Sequence, residues 1–289
     1  MKTNVRFRTK RASGLLAGAV ALLLIAAAFS GPAWAITGGE PDGNRHPNVG
    51  TVLAYDPLYG RVIPLGSGTP IHERVFLTAG LIVAPIETGE VTLLGVSFDP
   101  IVDLNDPNTW LSVTRVVGAY SPSPSGRRTA NPNQTDIGVL ILEEAVTGIT
   151  PASLPRVGLL DDLKKLGQLE APRPGGTLFT VVGYGFSLDF PPPQLIPPRT
   201  ADGTVLRKVA QTGYLGLNDG WLITFQNPAA GYGGTAAGDS GGPQFWNDPE
   251  RGEDVLVSIT SWGDPNCVAM DFNYRIDTRG VAPVHSGRD

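Results

Sequence analysis

One short segment, residues 238–243 with the sequence Gly-Asp-Ser-Gly-Gly-Pro, places the strictest demand on how this chain can fold. Glycines on both sides of Ser240 let the backbone turn sharply and leave N–H groups free to face an anionic oxygen, while the hydroxyl stands exposed as a nucleophile. At average residue frequencies such a hexapeptide would arise by accident in a chain of this length with a probability on the order of 10⁻⁵. We therefore interpret it as a nucleophile turn rather than a glycine-rich surface turn.

The first 35 residues have the layout of an export signal. Five Lys and Arg side chains precede an apolar run over residues 14–29, and Ala33-Trp34-Ala35 supplies the small residues of a cleavage site. The apolar run is short for a membrane span, so an uncleaved anchor is the less favoured alternative. We expect cleavage after Ala35 and a secreted protein, extracellular or periplasmic, that has no membrane contact after cleavage.

The composition of the remaining 254 residues limits the possible partners. They carry 17 Lys and Arg against 27 Asp and Glu, a net charge of −10, with no lysine-rich run that would suit nucleic acid or an anionic membrane. Cys267 is the only cysteine, so no internal disulfide can form and stability must come from packing. We expect a monomer that binds no nucleic acid, no cofactor and no metal.

Short β-type runs separated by turn residues dominate the rest of the chain. Runs rich in Val, Ile, Leu, Phe and Thr alternate with Gly, Pro, Asn and Asp, which predicts an all-β fold. The predicted strands are residues 74–78, 91–98, 112–120, 137–142, 178–182, 221–225 and 255–261. A single short helical turn is predicted around residues 159–166, and two proline-bearing stretches, residues 121–133 and 191–200, are predicted to be exposed loops.

Two motifs resemble those of a known family. Gly-Asp-Ser-Gly-Gly-Pro at residues 238–243 and Ser-Trp-Gly at residues 261–263 resemble the nucleophile and substrate-wall motifs of the chymotrypsin/trypsin-like serine proteases. The chain is similar to the bacterial type of this family over about residues 36–278. The resemblance implies two six-stranded antiparallel β-barrels, residues 36–155 and 156–289, with the active site in the cleft between them. It also implies a polypeptide substrate or a protein ligand.

The resemblance implies catalytic positions that the chain fills only in part. Ser240 is the nucleophile, and Asp136 stands at the position that orients the base, although alone it could be an ordinary turn residue before a strand. In the family a Leu-Thr-Ala-Gly segment is followed by the catalytic histidine, but here residues 77–80 are followed by Leu81. A leucine cannot accept a proton, and loss of a triad member lowers turnover by up to roughly 10⁶. We expect the Asp136 carboxylate to be left without a group to orient or bind.

The chain has three histidines that could replace the missing base. His72 is predicted at a hairpin turn nine residues before Leu81, His46 on the surface near the mature terminus, and His285 in a tail of undefined path. A general base must come within hydrogen-bond reach of the hydroxyl. The sequence therefore favours none of the three.

The oxyanion site and the mature terminus are also implied by the resemblance. In the family the corresponding backbone N–H groups, here those of Gly238 and Ser240, form the oxyanion hole, and they survive any side-chain change. Residues 36–39, Ile-Thr-Gly-Gly, resemble the family's terminus, whose α-ammonium pairs with the aspartate before the nucleophile, here Asp239. Signal cleavage alone would expose Ile36, so we expect an Ile36–Asp239 ion pair without a zymogen stage.

The substrate pocket departs from the family pattern. Gly234 stands where trypsin-like relatives have the aspartate that selects Lys or Arg, so we expect no counter-charge for a basic side chain there. Ser261, Trp262 and Gly263 match the pocket wall, although Trp262 by itself could equally be a core aromatic. Phe272 aligns with a position that is often small in relatives, where its ring would narrow or fill the pocket.

Two further departures concern a disulfide and the C-terminus. Cys267 resembles one half of a family disulfide whose partner position is Ala236 here, and we interpret it as a buried apolar residue rather than a reactive thiol. After residue 278, Gly and Pro stand where the family has a C-terminal helix, and we expect that helix to be absent.

Three functions are compatible with these features. The first is an exported serine-protease homologue that lacks the general base, is inactive or very weak, and binds peptides or proteins in its cleft. The second is an active serine endopeptidase. It would use an unrecognised base, or its natural residue at position 81 would be histidine, since a histidine codon and a leucine codon can differ by one nucleotide. The third is a structural or adhesive exported domain.

Overall fold

Antiparallel β-strands make up most of the computed structural model, which describes residues 36–120, 131–189, 194–196 and 203–279. The strands are β1 (Glu40–Pro41), β2 (Gly50–Asp56), β3 (Arg61–His72), β4 (Val75–Thr78), β5 (Thr92–Ser97), β6 (Ile101–Asp103), β7 (Val113–Tyr120), β8 (Asp136–Leu142), β9 (Leu178–Gly183), β10 (Ser187–Asp189), β11 (Gln194–Ile196), β12 (Thr204–Leu206), β13 (Lys208–Leu217), β14 (Trp221–Phe225), β15 (Pro243–Asp248), β16 (Glu253–Gly263) and β17 (Met270–Arg275). The helices are α1 (Gly80–Glu87) and α2 (Leu159–Lys165).

The first sheet contains six strands in the order β5-β2-β3-β4-β8-β7, and all of its pairs are antiparallel. A β-bridge between Val96 of β5 and Leu111, just before β7, connects the two edges of this sheet. Successive side chains of a strand point to opposite faces, and β8 accordingly alternates between buried and half-buried residues. The core inside this barrel is apolar and includes Val52, Leu53, Phe76, Val96, Leu140 and Leu142.

The second sheet closes into a ring of six strands. Its order is β1-β13-β14-β17-β16-β15-β9, and the pairing of β13 with β9 closes the ring, with β1 attached to β13. The interior of this barrel includes buried polar side chains that bind one another. Gln244 donates to Asn273 Oδ1 at 2.7 Å, and Asn273 donates to Thr224 Oγ1 at 3.1 Å.

The all-β prediction with two antiparallel barrels is confirmed. All seven predicted strands are present, with ends that differ by at most two residues, and the predicted helical turn is α2. The second barrel consists of β9 and β13 to β17, with β1 attached. The predicted boundary between the two barrels, at residue 155, stays a prediction. The predicted loop at residues 191–200 contains the short strand β11.

Helix α1 was not predicted. It is apolar except for Glu87 at its end and contains Pro85, so it has neither the amphipathic period nor the composition that identifies a helix in a sequence. It packs against β7 and β8, and this burial on the first barrel stabilises a segment with weak helical preference.

Some predictions fall on other parts of the chain. The leader, residues 1–35, most of the predicted loop at residues 121–133, and the tail from residue 280 lie outside the described residues. Neither helix of the described part is long and apolar enough to cross a membrane.

Candidate active-site cleft

The nucleophile turn is attached to the first barrel by backbone hydrogen bonds. The N–H of Ser67 in β3 donates to Ser240 O at 2.8 Å, and its hydroxyl donates to Gly238 O at 3.3 Å. Gly241 has a φ of +83°, and a Cβ at this position would overlap Thr78 and Ser67. Glycine is therefore required where the turn passes between the two barrels.

The backbone N–H groups of the turn differ in their use. The N–H of Asp239 donates to Ala236 O at 3.1 Å, and that of Gly241 donates to Thr260 O at 2.7 Å. Within the described ranges, the N–H groups of Gly238 and Ser240 donate to no backbone carbonyl. Both N–H groups of the predicted oxyanion hole are thus available to a ligand oxygen.

Asp136 connects position 81 to the second barrel. Its Oδ1 accepts the backbone N–H of Leu81 at 2.8 Å, and its Oδ2 accepts a short hydrogen bond from the Ser261 hydroxyl. The side chain is buried at the start of β8, whereas Leu81 lies in the first turn of α1. The expectation that this carboxylate would bind nothing was wrong, because a backbone N–H and a hydroxyl occupy it whatever side chain stands at position 81.

The histidines of the described part do not reach Ser240. His72 ends β3 at the hairpin turn, where its Nδ1 accepts the N–H of Arg74 at 3.4 Å. His46 binds Asp42 Oδ1 through Nδ1 at 2.5 Å, and its ring stacks on Phe245 with the centroids 6.0 Å apart. His285 lies outside the described residues.

Ile36 and Asp239 bind adjacent residues of one loop. The buried Ile36 donates its N–H to Phe186 O at 3.1 Å, while Asp239 Oδ1 accepts the N–H of Gly185 at 2.7 Å and Oδ2 that of Ala236 at 2.9 Å. Burial raises the pKa of the Asp239 carboxyl to about 7, although the two N–H groups lower it. In this chain residue 35 is still attached, so the Ile36 nitrogen is an amide rather than the ammonium of the predicted ion pair.

A cavity of about 190 Å³ lies beside Ser240. Its walls include the three predicted residues Ser261, Trp262 and Gly263, together with Cys267. Cys267 is half-buried, and burial raises the pKa of its thiol to about 11, so the thiol is protonated and unreactive at neutral pH.

The structure corrects the assignment of Phe272 to the pocket wall. A bulge in the β16–β17 pairing, between Thr260 and Trp262, sets Phe272 opposite Trp262 and Asp271 opposite Gly263. The Phe272 ring stacks on Trp262 with the centroids 3.8 Å apart and does not line the cavity. The cavity residue from β17 is Asp271, which the sequence analysis missed. The two-residue alternation of apolar and polar residues along Met-Asp-Phe-Asn-Tyr-Arg is the signal that could have identified it, because it puts Asp271 and Phe272 on opposite faces of the strand.

Gly234 is also absent from the cavity wall. It is buried, and its N–H donates to Thr37 O at 2.9 Å. A Cβ at this position would overlap the side chain of the buried Gln226. Glycine at position 234 thus leaves room for Gln226.

In the described ranges no group of three or more His, Cys, Asp or Glu side chains could hold a metal ion.

Comparisons with known proteins identify the fold. No protein-family model and no curated protein matches the sequence. Solved structures do match, among them human heparin binding protein, with a TM-score of 0.54 and 18% identity over 84% of this chain and 92% of that chain. At this identity the likeness shows the fold alone, which is a chymotrypsin-like pair of β-barrels.

Proposed function

We propose that this chain is an exported homologue of the trypsin-like serine proteases that binds polypeptides in the cleft between its barrels and hydrolyses them weakly or not at all. The observation that carries the proposal is the hydrogen bond from the Leu81 N–H to Asp136 Oδ1, at 2.8 Å. This bond supports the interpretation of position 81 as the position of the triad's base, where the chain has a hydrocarbon side chain and a triad needs an imidazole.

The absence of a base limits the chemistry of Ser240. Its hydroxyl has no hydrogen-bond partner among the described residues, so no group there takes its proton during attack on a carbonyl. After loss of a triad member, the oxyanion hole and substrate binding alone accelerate the reaction about 10³–10⁴-fold over the rate in water. This acceleration is too small for a useful peptidase.

Binding does not require the base. The free N–H groups of Gly238 and Ser240 suit a carbonyl oxygen, and the adjacent cavity of about 190 Å³ suits one side chain of a bound peptide. Polypeptide is favoured over a polyanion such as heparin, which the human structural neighbour is named for, because the full chain has a net charge of −5.

An active endopeptidase is the second candidate. The specific observation in its favour is that Asp136 is buried and bound to Ser261, as a residue that orients a histidine would be. This candidate needs histidine at position 81 in the natural chain, or a base from outside the described residues.

The test uses protein that begins at Ile36. It is assayed with a broad set of fluorogenic peptides, and its affinity for the same peptides is measured by calorimetry. We expect binding with little or no turnover, and the Ser240→Ala variant should bind the peptides equally well. Turnover that Ser240→Ala abolishes would establish the active enzyme instead, and a protein that neither binds nor cleaves peptides would support the structural role.

A further inference from the structure

The turn between strands β2 and β3 exposes two adjacent large apolar side chains. Leu58 is 83% exposed and Tyr59 is 66% exposed. Hydrogen bonds order the turn, because Asp56 Oδ1 accepts the backbone N–H groups of Leu58 at 2.8 Å and of Tyr59 at 3.3 Å. The Arg61 guanidinium lies over the Tyr59 ring, 5.6 Å from its centroid. Residues 56–61, which we call the tip, thus present an apolar surface in an ordered arrangement.

A concave apolar surface lies on the second barrel. A cavity of about 560 Å³, which we call the groove, is lined by Leu178 of β9, Phe225 of β14 and Tyr232. Leu178 and Phe225 both pair with Gly213 of β13, so they lie on the same face of the sheet. Glycine at position 213 lets Tyr232 lie against this face, since a Cβ there would overlap the ring. The Tyr232 and Phe225 rings meet edge to face with centroids 5.4 Å apart, so the groove has aromatic walls.

The tip and the groove are complementary in charge. Arg173 is the only charged residue that lines the groove in the described ranges, and it pairs with the exposed Glu170. The tip likewise has one acid, Asp56, and one base, Arg61. The two surfaces can therefore set Asp56 against Arg173 and Arg61 against Glu170. A second copy of this chain thus meets no like-charge repulsion at this contact, although the whole chain has a net charge of −5.

We propose that the tip of one copy of this chain binds in the groove of a second copy. The two surfaces belong to different barrels, so each pair of molecules keeps one free tip and one free groove. Such head-to-tail contacts extend into chains of molecules or close into rings. The inference replaces the expectation of a monomer. It is independent of the proposed function, because no residue of the tip lines the cavity beside Ser240, and neither do Leu178, Phe225 and Tyr232.

The strength of this contact follows from its two anchors. Leu58 and Tyr59 move from water to the aromatic walls of the groove, and the loss of exposed apolar surface is the favourable contribution. Two anchors make a small interface of the kind found in weak and transient complexes. We therefore expect self-association with a dissociation constant of about 100 μM.

Sedimentation equilibrium of the protein that begins at Ile36 measures this association. Between about 10 μM and about 1 mM the average mass should rise from that of one chain to more than that of two. Leu58→Ser in the tip and Leu178→Ser in the groove should each weaken the association at least about tenfold. Leu166→Ser changes a leucine that is 70% exposed outside both surfaces, and it should have no effect. An unchanged protein that stays monomeric throughout would overturn the proposal.

Mixing the two variants tests which surfaces meet. A Leu58→Ser molecule keeps its groove and a Leu178→Ser molecule keeps its tip, so one complete contact forms between them. We expect the mixture to contain a dimer with one copy of each variant and no larger species, because the remaining tip and groove are both defective. A mixture that stays monomeric, or one that forms larger species, would contradict the pairing of tip with groove.

A second groove variant keeps the test decisive if Leu178→Ser does not fold. The Arg173 side chain is 66% exposed, and Arg173→Glu should weaken the association because it sets a like charge against Asp56. Association that this folded variant leaves unchanged would overturn the proposal. Binding to phosphatidylcholine vesicles that Leu58→Ser abolishes, without any self-association, would make a lipid surface the partner of the tip and would also overturn it.

Discussion

Asp136 Oδ1 accepts the backbone N–H of Leu81 at 2.8 Å. The second oxygen of the same carboxylate accepts the hydroxyl of Ser261, so this one buried side chain fixes the start of α1 against strand β16 of the other barrel. Neither bond involves the leucine side chain. The backbone of position 81 is therefore held beside a buried carboxylate, with a side chain that makes no use of it.

Histidine at position 81 should consequently create peptidase activity. We expect Leu81→His to raise kcat/KM on fluorogenic peptides by at least about 10³, because the imidazole could bind Asp136 and take the proton of Ser240. Leu81→Gln, which is polar but not basic, is the matched control and should stay inert. Asp136→Asn in the histidine variant should remove most of the gain. An inert but folded histidine variant would show that the base is not the only catalytic defect.

The terminus should affect stability through Asp239. With residue 35 attached, the pKa of Asp239 is about 7, above the ordinary value of 3.8. The folded chain then keeps a proton that the unfolded chain loses, so the free energy of unfolding falls as pH rises from about 4 to about 7. An ammonium at Ile36 should lower this pKa and reduce that fall.

Urea unfolding at pH 5 and pH 8 measures this effect. We compare protein that begins at Ile36 with protein that keeps Ala35, and expect the shorter chain to be more stable at pH 8 by about 3 kcal/mol. Asp239→Asn should remove the difference between the two chains. Identical pH profiles for the two unmodified chains would refute the predicted ion pair.

A buried ion pair joins Asp42 and Arg207, with 3.0 Å between Oδ2 and Nε and neither side chain exposed. Asp42→Asn should lower the free energy of unfolding by about 3–5 kcal/mol, because it leaves the Arg207 guanidinium buried without its counter-ion. Glu40→Gln, which breaks the exposed pair with Arg45, should change stability little. Urea unfolding at pH 7 checks both, and similar effects of the two variants would contradict the prediction.

Acid should weaken the same pair. Burial by itself would raise the pKa of Asp42, but hydrogen bonds with His46 and the charge of Arg207 outweigh burial and lower it to about 2. Its contribution to stability is therefore complete above about pH 4 and is lost as pH falls towards 2. Acid unfolding followed by circular dichroism should show a smaller loss of stability in this interval for Asp42→Asn than for the unchanged protein.

Asp271 should give the opposite pH dependence. Its pKa of about 8 exceeds the ordinary 3.8, so its proton is held by the folded chain and lost by the unfolded chain between these values. The free energy of unfolding should fall as pH rises from about 4 to about 8. Asp271→Asn lacks this contribution. Its free energy of unfolding, measured with urea, should therefore fall less between pH 5 and pH 8. Parallel profiles of the two proteins would count against a raised pKa.

Local patterns predicted the strands well and the helix α1 not at all. A strand shows its β-type composition and its flanking turn residues within its own sequence, so strand β14, Trp221–Phe225, was predicted with both ends correct. Helix α1 has no such local signature, because its residues are apolar except for Glu87 and Pro85 lies inside it. Its helical state depends on packing against β7 and β8, which a local pattern does not contain.

At the pocket wall, too, the local sequence pattern did not suffice to predict which residue lines the cavity. Because adjacent strand residues point to opposite faces, only one of Asp271 and Phe272 can face the cavity, and the pairing with β16 sets Asp271 opposite Gly263 of the cavity wall. The sequence suggested Phe272 and therefore an occluded, uncharged pocket. The strand register places a carboxylate there instead.

The sequence by itself determined the all-β class, the serine between glycines and the lack of a basic side chain at position 81, since each depends on residue identity or on a local period, and the resemblance to a known family implied the two barrels. Only the tertiary structure decided what the two carboxylates Asp136 and Asp271 bind. Asp136 meets Leu81 across 55 residues and Ser261 across 125 residues of chain, and Asp271 meets Thr235 across 36. Contacts over such separations depend on how strands pair and how the barrels pack, and no local pattern specifies either.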